Sequence, residues 1–178
     1  ALARRYRAVL SDGRSVITFA EEMEMVRAYL KVQGIRFEDK FSAHLEVSPE
    51  ALDFPILKNI VQPLVENALE HGIGPKLEKG RLCVPARVDG DRLDLCVVDD
   101  GVGMTEARRG EVARGLPGKG RHGYAIRNIL QRLNVFYEER YTFVLHSGPN
   151  RGTTVHLVLP RPKTIWQGGE RDGQNAGG

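Results

Sequence analysis

The chain has 178 residues, of which 41% are hydrophobic and 28% charged, the balance of a globular polypeptide able to bury a core in one or two domains. Lys and Arg number 26 against 23 Asp and Glu, and a net charge of +3 interspersed along the chain excludes the concentrated basic footprint of a nucleic-acid binder. No apolar run reaches the roughly 20 residues that cross a bilayer, and two cysteines, Cys83 and Cys96, are too few for a disulfide scaffold and have no spaced partner set for zinc, so a reducing compartment is expected.

Residues 1–10 (ALARRYRAVL) are too basic and too short of apolar length for a secretory signal. Their apolar positions Leu2, Tyr6, Val9 and Leu10 predict a brief helix that Ser11-Asp12-Gly13 ends, and with no initiator Met the chain reads as a piece of something longer. From Phe19 to Arg36 the apolar residues Phe19, Met23, Val26, Tyr29 and Leu30 recur at helical spacing. Thr18 and Glu21 supply a capping box, and Glu21, Glu22 and Glu24 make an acidic opposite face, so the narrow stripe calls for a partner helix. Residues 41–47 (FSAHLEV) alternate as a half-buried strand closed by Ser48-Pro49-Glu50.

A long helix is predicted from Pro55 to Gly72, with a kink at Pro63 and Gly72 as its stop. Arg81 to Asp99 reads as a hairpin; with Asp89-Gly90 at the centre of a type I′ turn, opposed residue numbers sum to 179 and Cys83 faces Cys96. That register puts Leu82, Val84, Ala86 and Val88 on one face with Leu93, Leu95 and Val97, while Pro85 suggests an edge or a bulge. A third helix runs from Tyr124 to about Leu133, followed by strands at 141–146 and 154–159 joined through Asn150-Arg151-Gly152. Pro160 to Pro162 ends the domain, and the Gly-, Gln- and Asn-rich residues 164–178 form a disordered tail.

Three clusters carry chemistry. In Gln62-Pro63-Leu64-Val65-Glu66-Asn67-Ala68-Leu69-Glu70-His71-Gly72, a helix stacks Asn67 under His71 and Glu66 under Glu70. An amide oxygen fixed there suits Mg²⁺, which takes hard oxygen ligands; the same residues are equally a solvated acidic face. In Val97-Val98-Asp99-Asp100-Gly101-Val102-Gly103-Met104, a carboxylate at the mouth of a strand can accept from a ligand's exocyclic amine, although a surface turn has the same composition. In the third, Gly115, Gly118, Gly120 and Gly123 interleave with Lys119, Arg121 and His122 before a helix, an anion site if the loop is more than a linker. It matches neither a Rossmann fingerprint nor a Walker A loop.

In this order and spacing the clusters resemble the GHKL nucleotide-binding superfamily, and more closely the catalytic region of LytS-like sensor histidine kinases. The carrying residues are Ala20-Glu21-Glu22-Met23-Glu24 through Tyr29-Leu30 to Arg36-Phe37, the N-box-like Val61–Ala68 with His71-Gly72, the first glycine box Asp99–Met104, and Gly152-Thr153-Thr154. The resemblance implies an α/β fold, a two-layer sandwich of the Bergerat type with a mixed sheet and helices on one face. It implies residues 1–37 as the end of a helical dimerisation and phosphoacceptor region without the acceptor histidine, residues 38–162 as the ATP-binding catalytic domain, and 163–178 as the tail.

Carried over residue by residue, Asn67 would ligate Mg²⁺, Glu66 would be the N-box acid and His71 would face the phosphates. Asp99 would accept from adenine in a pocket shaped by Gly101, Gly103 and Met104, with Thr153 closing it. Residues 104–119 would be the ATP lid, and Lys119, Gly120, Arg121, His122, Gly123 and Tyr124 would line the phosphates. One departure is Gly123-Tyr124-Ala125-Ile126, where the family has Gly-x-Gly-Leu. The implied activity is phosphoryl transfer from ATP to a histidine on the upstream helices, for relay to a response-regulator aspartate, the regulator being of the LytTR type. Implied surroundings are a homodimer formed by the helical region and a cytoplasmic position below a membrane anchor upstream. Alternatives are a GHKL-type ATPase and a non-catalytic ATP-sensing or dimerisation module.

Overall fold

The computed structural model describes residues 15–37, 40–114 and 124–162, so the expected helix at 1–10, the glycine-rich stretch 115–123 and the tail lie outside the described residues. The chain enters as β1 (Val16–Thr18) and turns directly into α1 (Phe19–Arg36). The Thr18 side chain accepts from the Glu21 amide, and the Glu21 carboxylate accepts from the Thr18 amide at 2.8 Å, the predicted capping box. Phe19, Met23, Val26 and Leu30 are buried, the apolar stripe read from the sequence. After β2 (Phe41–Val47) and the single turn α2 (Pro49–Leu52), Pro55 to Leu57 is a strand, β3, paired antiparallel to β1.

The long helix therefore begins six residues later than expected, as α3 (Val61–Asn67). Three consecutive buried apolar residues in β3 have no periodicity that separates strand from helix, and Asn59, with φ 57°, turns the chain before the helix starts. Pro63 falls in the first turn of α3, where its missing N–H has no intrahelical partner to lose, so the kink expected from a mid-helix proline does not arise. Nor does Gly72 stop the helix. It lies within a π segment, Ala68–Ile73, closed by the Gly74 amide on the Leu69 carbonyl at 2.7 Å.

The start of α3 has no side-chain cap of its own. Glu22 of α1 supplies it from across the core: its carboxylate accepts from the amides of Asn59, Ile60 and Val61 at 2.8–2.9 Å and of Gln62 at 3.4 Å. Glu22 is 0% exposed, which corrects its assignment to an acidic solvent face. A buried carboxylate is tolerated because it meets orphan donors at a positive helix end. Arg132 of α5 (Tyr124–Tyr137) clamps the same turn, donating to the carbonyls of Asn59 and Lys58. We predict that Glu22→Gln lowers stability by roughly 1 to 3 kcal/mol, because its NH₂ group would face amide donors. Urea denaturation measures this, and an unchanged midpoint would remove Glu22 from the helix start.

The main sheet has the order β2-β4-β5-β7-β6, from β4 (Gly80–Asp89), β5 (Arg92–Asp99), β6 (Thr142–Ser147) and β7 (Thr153–Pro160); β2 joins β4 in parallel and the other pairs are antiparallel. In the β4–β5 hairpin Asp89 opposes Arg92, so opposed numbers sum to 181 rather than 179. Gly90, with φ 58°, takes the first central position of the turn, where a type II′ turn wants glycine. Cys83 thus faces Val98, and Cys96 faces His156 on β7. Moving the register by two residues preserves the faces, and Leu82, Val84, Ala86, Leu93, Leu95 and Val97 are all buried. Pro85 is neither at an edge nor in a bulge: the ladder to β5 lapses at Val84 and Pro85 and resumes in register at Ala86, while Pro85 stays paired with β2. Residues of α1, α3 and α5 bury against this face as one core, giving two layers with helices on one side.

Candidate functional site

β5 is flanked by β4 and β7, and its last residue, Asp99, stands between Leu82 and Thr153. Asp99 is 6% exposed. Oδ1 accepts from the Gly101 amide at 2.8 Å, and the Thr153 amide also donates to the carboxylate. Burial outweighs these bonds and pushes its pKa up to about 6, with the neighbouring Asp100 charge adding to the rise and Lys76 opposing it. The adjacent acid behaves oppositely. Asp100 accepts from the Arg81 amide at 2.7 Å and pairs with Lys76 at 3.2 Å, and these partners hold its carboxyl below the usual range against its own desolvation.

The first two sequence clusters meet here. A Cβ on Gly72 would lie 2.5 Å from Asp99 Oδ1, and one on Gly101 would lie 2.2 Å from the Gly72 carbonyl carbon, so only glycines let the π segment and the strand end touch. The Val102 amide donates to the Gly72 carbonyl at 2.9 Å, locking the contact. The β6–β7 turn closes the other side. Asn150 donates to the Val102 carbonyl, Gly152 to the Gly101 carbonyl, and Gly103 adopts φ 65° against the Gly148 carbonyl. Met104, half-buried, donates its amide to Ser147 Oγ at 3.0 Å, and Ser147 Oγ also lies 3.0 Å from Thr153 Oγ1.

Asn67 is the last α-helical residue before the π segment, one helix turn from Asp99's glycine contact. Its Nδ2 is buried and has no hydrogen-bond partner among the described residues, a donor left unsatisfied at a cost to stability. Glu66 beside it accepts from Gln62 Nε2 at 2.9 Å. Burial pushes the Tyr29 hydroxyl up to about 12, with the charges of Glu70 and Glu66 adding to the rise and Arg36 opposing it. The side-chain oxygen of Asn67 beside the tethered Glu66 carboxylate would make a hard-oxygen donor set of the kind that fits Mg²⁺. His71 is half-buried within the π segment.

Beyond Met104, Thr105 caps α4 (Glu106–Ala113), a helix the sequence reading folded into a lid. Lys119, Gly120, Arg121, His122 and Gly123 lie outside the described residues, and Tyr124 opens α5. Structure thus brings Asp99, Gly101, Gly103, Met104, Thr153 and the Asn67–Gly72 segment together. Three contributors escaped the sequence: Glu22, Lys76 and Ser147. The sequence places Glu22 on an acidic helix face and within the resemblance, neither of which points to its capping role, and Lys76 and Ser147 have no local pattern.

Comparison with known proteins agrees with the fold. The model of histidine kinase-, DNA gyrase B- and HSP90-like ATPases matches residues 53–163, and a histidine kinase model matches residues 1–41. The sensor histidine kinase YesM of Bacillus subtilis is 28% identical over 147 residues, covering 83% of this chain and 24% of YesM. The sensor protein LytS of Enterococcus faecalis is 26% identical over 161 residues, covering 89% of this chain and 27% of LytS. The chain therefore spans about a quarter of the length of these curated relatives. Among solved structures, the catalytic domain of histidine kinase ThkA superposes with TM-score 0.60 at 13% identity, covering 83% of this chain and 95% of that one. The Acinetobacter baumannii histidine kinase AdeS gives 0.61 at 12%, covering 90% and 72%. At such identities these two share the fold.

Proposed function

Because the chain belongs to the histidine kinase-, DNA gyrase B- and HSP90-like ATPase family, we propose that it is the catalytic region of a two-component sensor histidine kinase. In this reading residues 38–162 bind Mg-ATP and transfer its γ-phosphoryl group to a histidine on helices preceding α1, for relay to a response-regulator aspartate of the LytTR type. The observation that supports the reading is the Gly72–Gly101 contact, which joins the segment following Asn67 to the strand end that carries the buried Asp99.

Asp99 accepts from the adenine amino group, Thr153 and Met104 border that pocket, and Asn67 with Glu66 holds the metal. Mg²⁺ supplies neutralisation of phosphate charge. The chain's residues supply position: phosphoryl transfer asks for alignment and charge more than covalent help. His71, Lys119 and Arg121 with the Gly120 and Gly123 amides serve the phosphates. Residues 1–37 continue the dimerising helices, the assembly is a homodimer, and an upstream segment anchors it with this region in the cytoplasm. Among the described residues no helix is long and apolar enough to cross a membrane. The histidine kinase match over residues 1–41 favours this over a hydrolysing ATPase or a non-catalytic sensor module.

The test is incubation of the chain, supplied with an upstream acceptor helix, with γ-labelled ATP. Acid-labile, base-stable label on the acceptor is the expected result; phosphate release without transfer would favour the ATPase, and neither would overturn catalysis.

A further inference from the structure

The open face of the sheet, opposite the helices, carries a second cluster. Cys96 on β5 stands directly across from His156 on β7, and Asp94 is two residues earlier on the same face of β5. One ligand atom from each of Asp94, Cys96 and His156 lies within 4.8 Å of the others. His156 Nε2 is 2.7 Å from Asp94 Oδ1, while Arg87 holds the other oxygen, Oδ2, at 3.2 Å, so the carboxylate is fixed with one oxygen turned toward the imidazole. The three half-buried side chains line a cleft of about 780 Å³ that also takes in Glu46 and Pro85.

We propose that Asp94, Cys96 and His156 form a binding site for Zn²⁺. One sulfur, one nitrogen and one oxygen make a mixed, borderline-soft set, whereas Mg²⁺ and Ca²⁺ take oxygen alone. Three protein ligands leave a fourth tetrahedral place to water, the open type of zinc site. Zinc–ligand bonds of roughly 2.0 to 2.3 Å put tetrahedral ligands less than about 4 Å apart, so the observed spread closes by side-chain rotation on strands that need not move. On binding, the Cys96 thiol proton passes to solvent, its sulfur lone pair ligates the metal, and the His156–Asp94 hydrogen bond is exchanged for metal bonds.

Cys83 is not a ligand: it faces Val98 in the ladder, and its thiol hydrogen-bonds Glu46 toward β2. Nothing in the sequence pattern marks the set, since the hairpin register expected there opposes Cys96 to Cys83, whereas β5–β7 pairing brings His156 to it. The site is independent of the kinase reading, lying on the sheet face away from Asp99.

Titration of the reduced 178-residue chain with Co²⁺ tests it. One bound equivalent with a thiolate-to-cobalt charge-transfer band, displaced by Zn²⁺, is the expected result. Cys96→Ser should abolish the band, His156→Ala should weaken affinity roughly tenfold or more, and Cys83→Ser and Asp99→Asn should leave both unchanged. Circular dichroism of each variant checks folding. Absence of the band in the wild-type chain, its survival in Cys96→Ser, or full affinity in a folded His156→Ala would each overturn the site.

Discussion

Asn67→Ala is expected to cut Mg-dependent transfer to an acceptor helix by roughly 100-fold or more, the scale seen when one charge-stabilising contact is removed from a transferring group, while leaving the fold at least as stable. Both halves of that expectation come from one fact. Asn67 Nδ2 is buried without a partner among the described residues, so alanine removes an unsatisfied donor and costs the protein no bond from that nitrogen. The pair of measurements separates the roles: a thermal midpoint equal to or above wild type with transfer lost fits metal binding, a lowered midpoint fits a structural amide, and persistent transfer refutes the metal role. Glu66 provides the comparison, because its carboxylate already engages Gln62 and its loss should move stability as well as rate.

How much of this was legible depended on whether the determining contacts were local. The helix Phe19–Arg36 was readable to the residue because its cap, Thr18 with Glu21, and its stripe lie within the element. The start of α3 was not, because its cap is Glu22, 37 to 40 positions away, and its preceding residues Pro55 to Leu57 became a strand through pairing with β1. The same division runs through the hairpin. Binary pattern settled which face of β4 and β5 is buried, whereas the turn conformation at Gly90 decided the register and with it the partners of Cys83 and Cys96. For the site, residue types and spacing marked Asn67, Asp99 and the glycines; what they could not convey is that Gly72 and Gly101 touch, since that depends on the π segment following Asn67.

Asp99→Asn is expected to weaken ATP binding by roughly 1 to 3 kcal/mol, about 5- to 150-fold, and to make the nucleotide-free fold more stable at neutral pH. The sign follows from the carboxyl's rise from 3.8 to about 6, caused first by burial. A group whose folded pKa is raised binds its proton more tightly when folded, so its stability is fully present below pH 3.8 and is lost as the pH climbs through about 6. Carrying the charge at pH 7 therefore costs on the order of 3 kcal/mol, lessened in the variant by the single oxygen left for the Gly101 and Thr153 amides. The midpoint of Asp99→Asn should exceed that of wild type at pH 7, and the gap should close toward pH 4. In the wild-type chain, ATP affinity should fall as the pH drops through about 6, because protonation removes the acceptor that adenine meets. Calorimetry across that range, with the thermal midpoints alongside, reads both effects; an unchanged affinity in the variant would dismiss the adenine contact. A stability gap that widens on acidification would instead mean that Asp99 is held as a favourable charge, and that the strand end is arranged for the fold and not for a ligand.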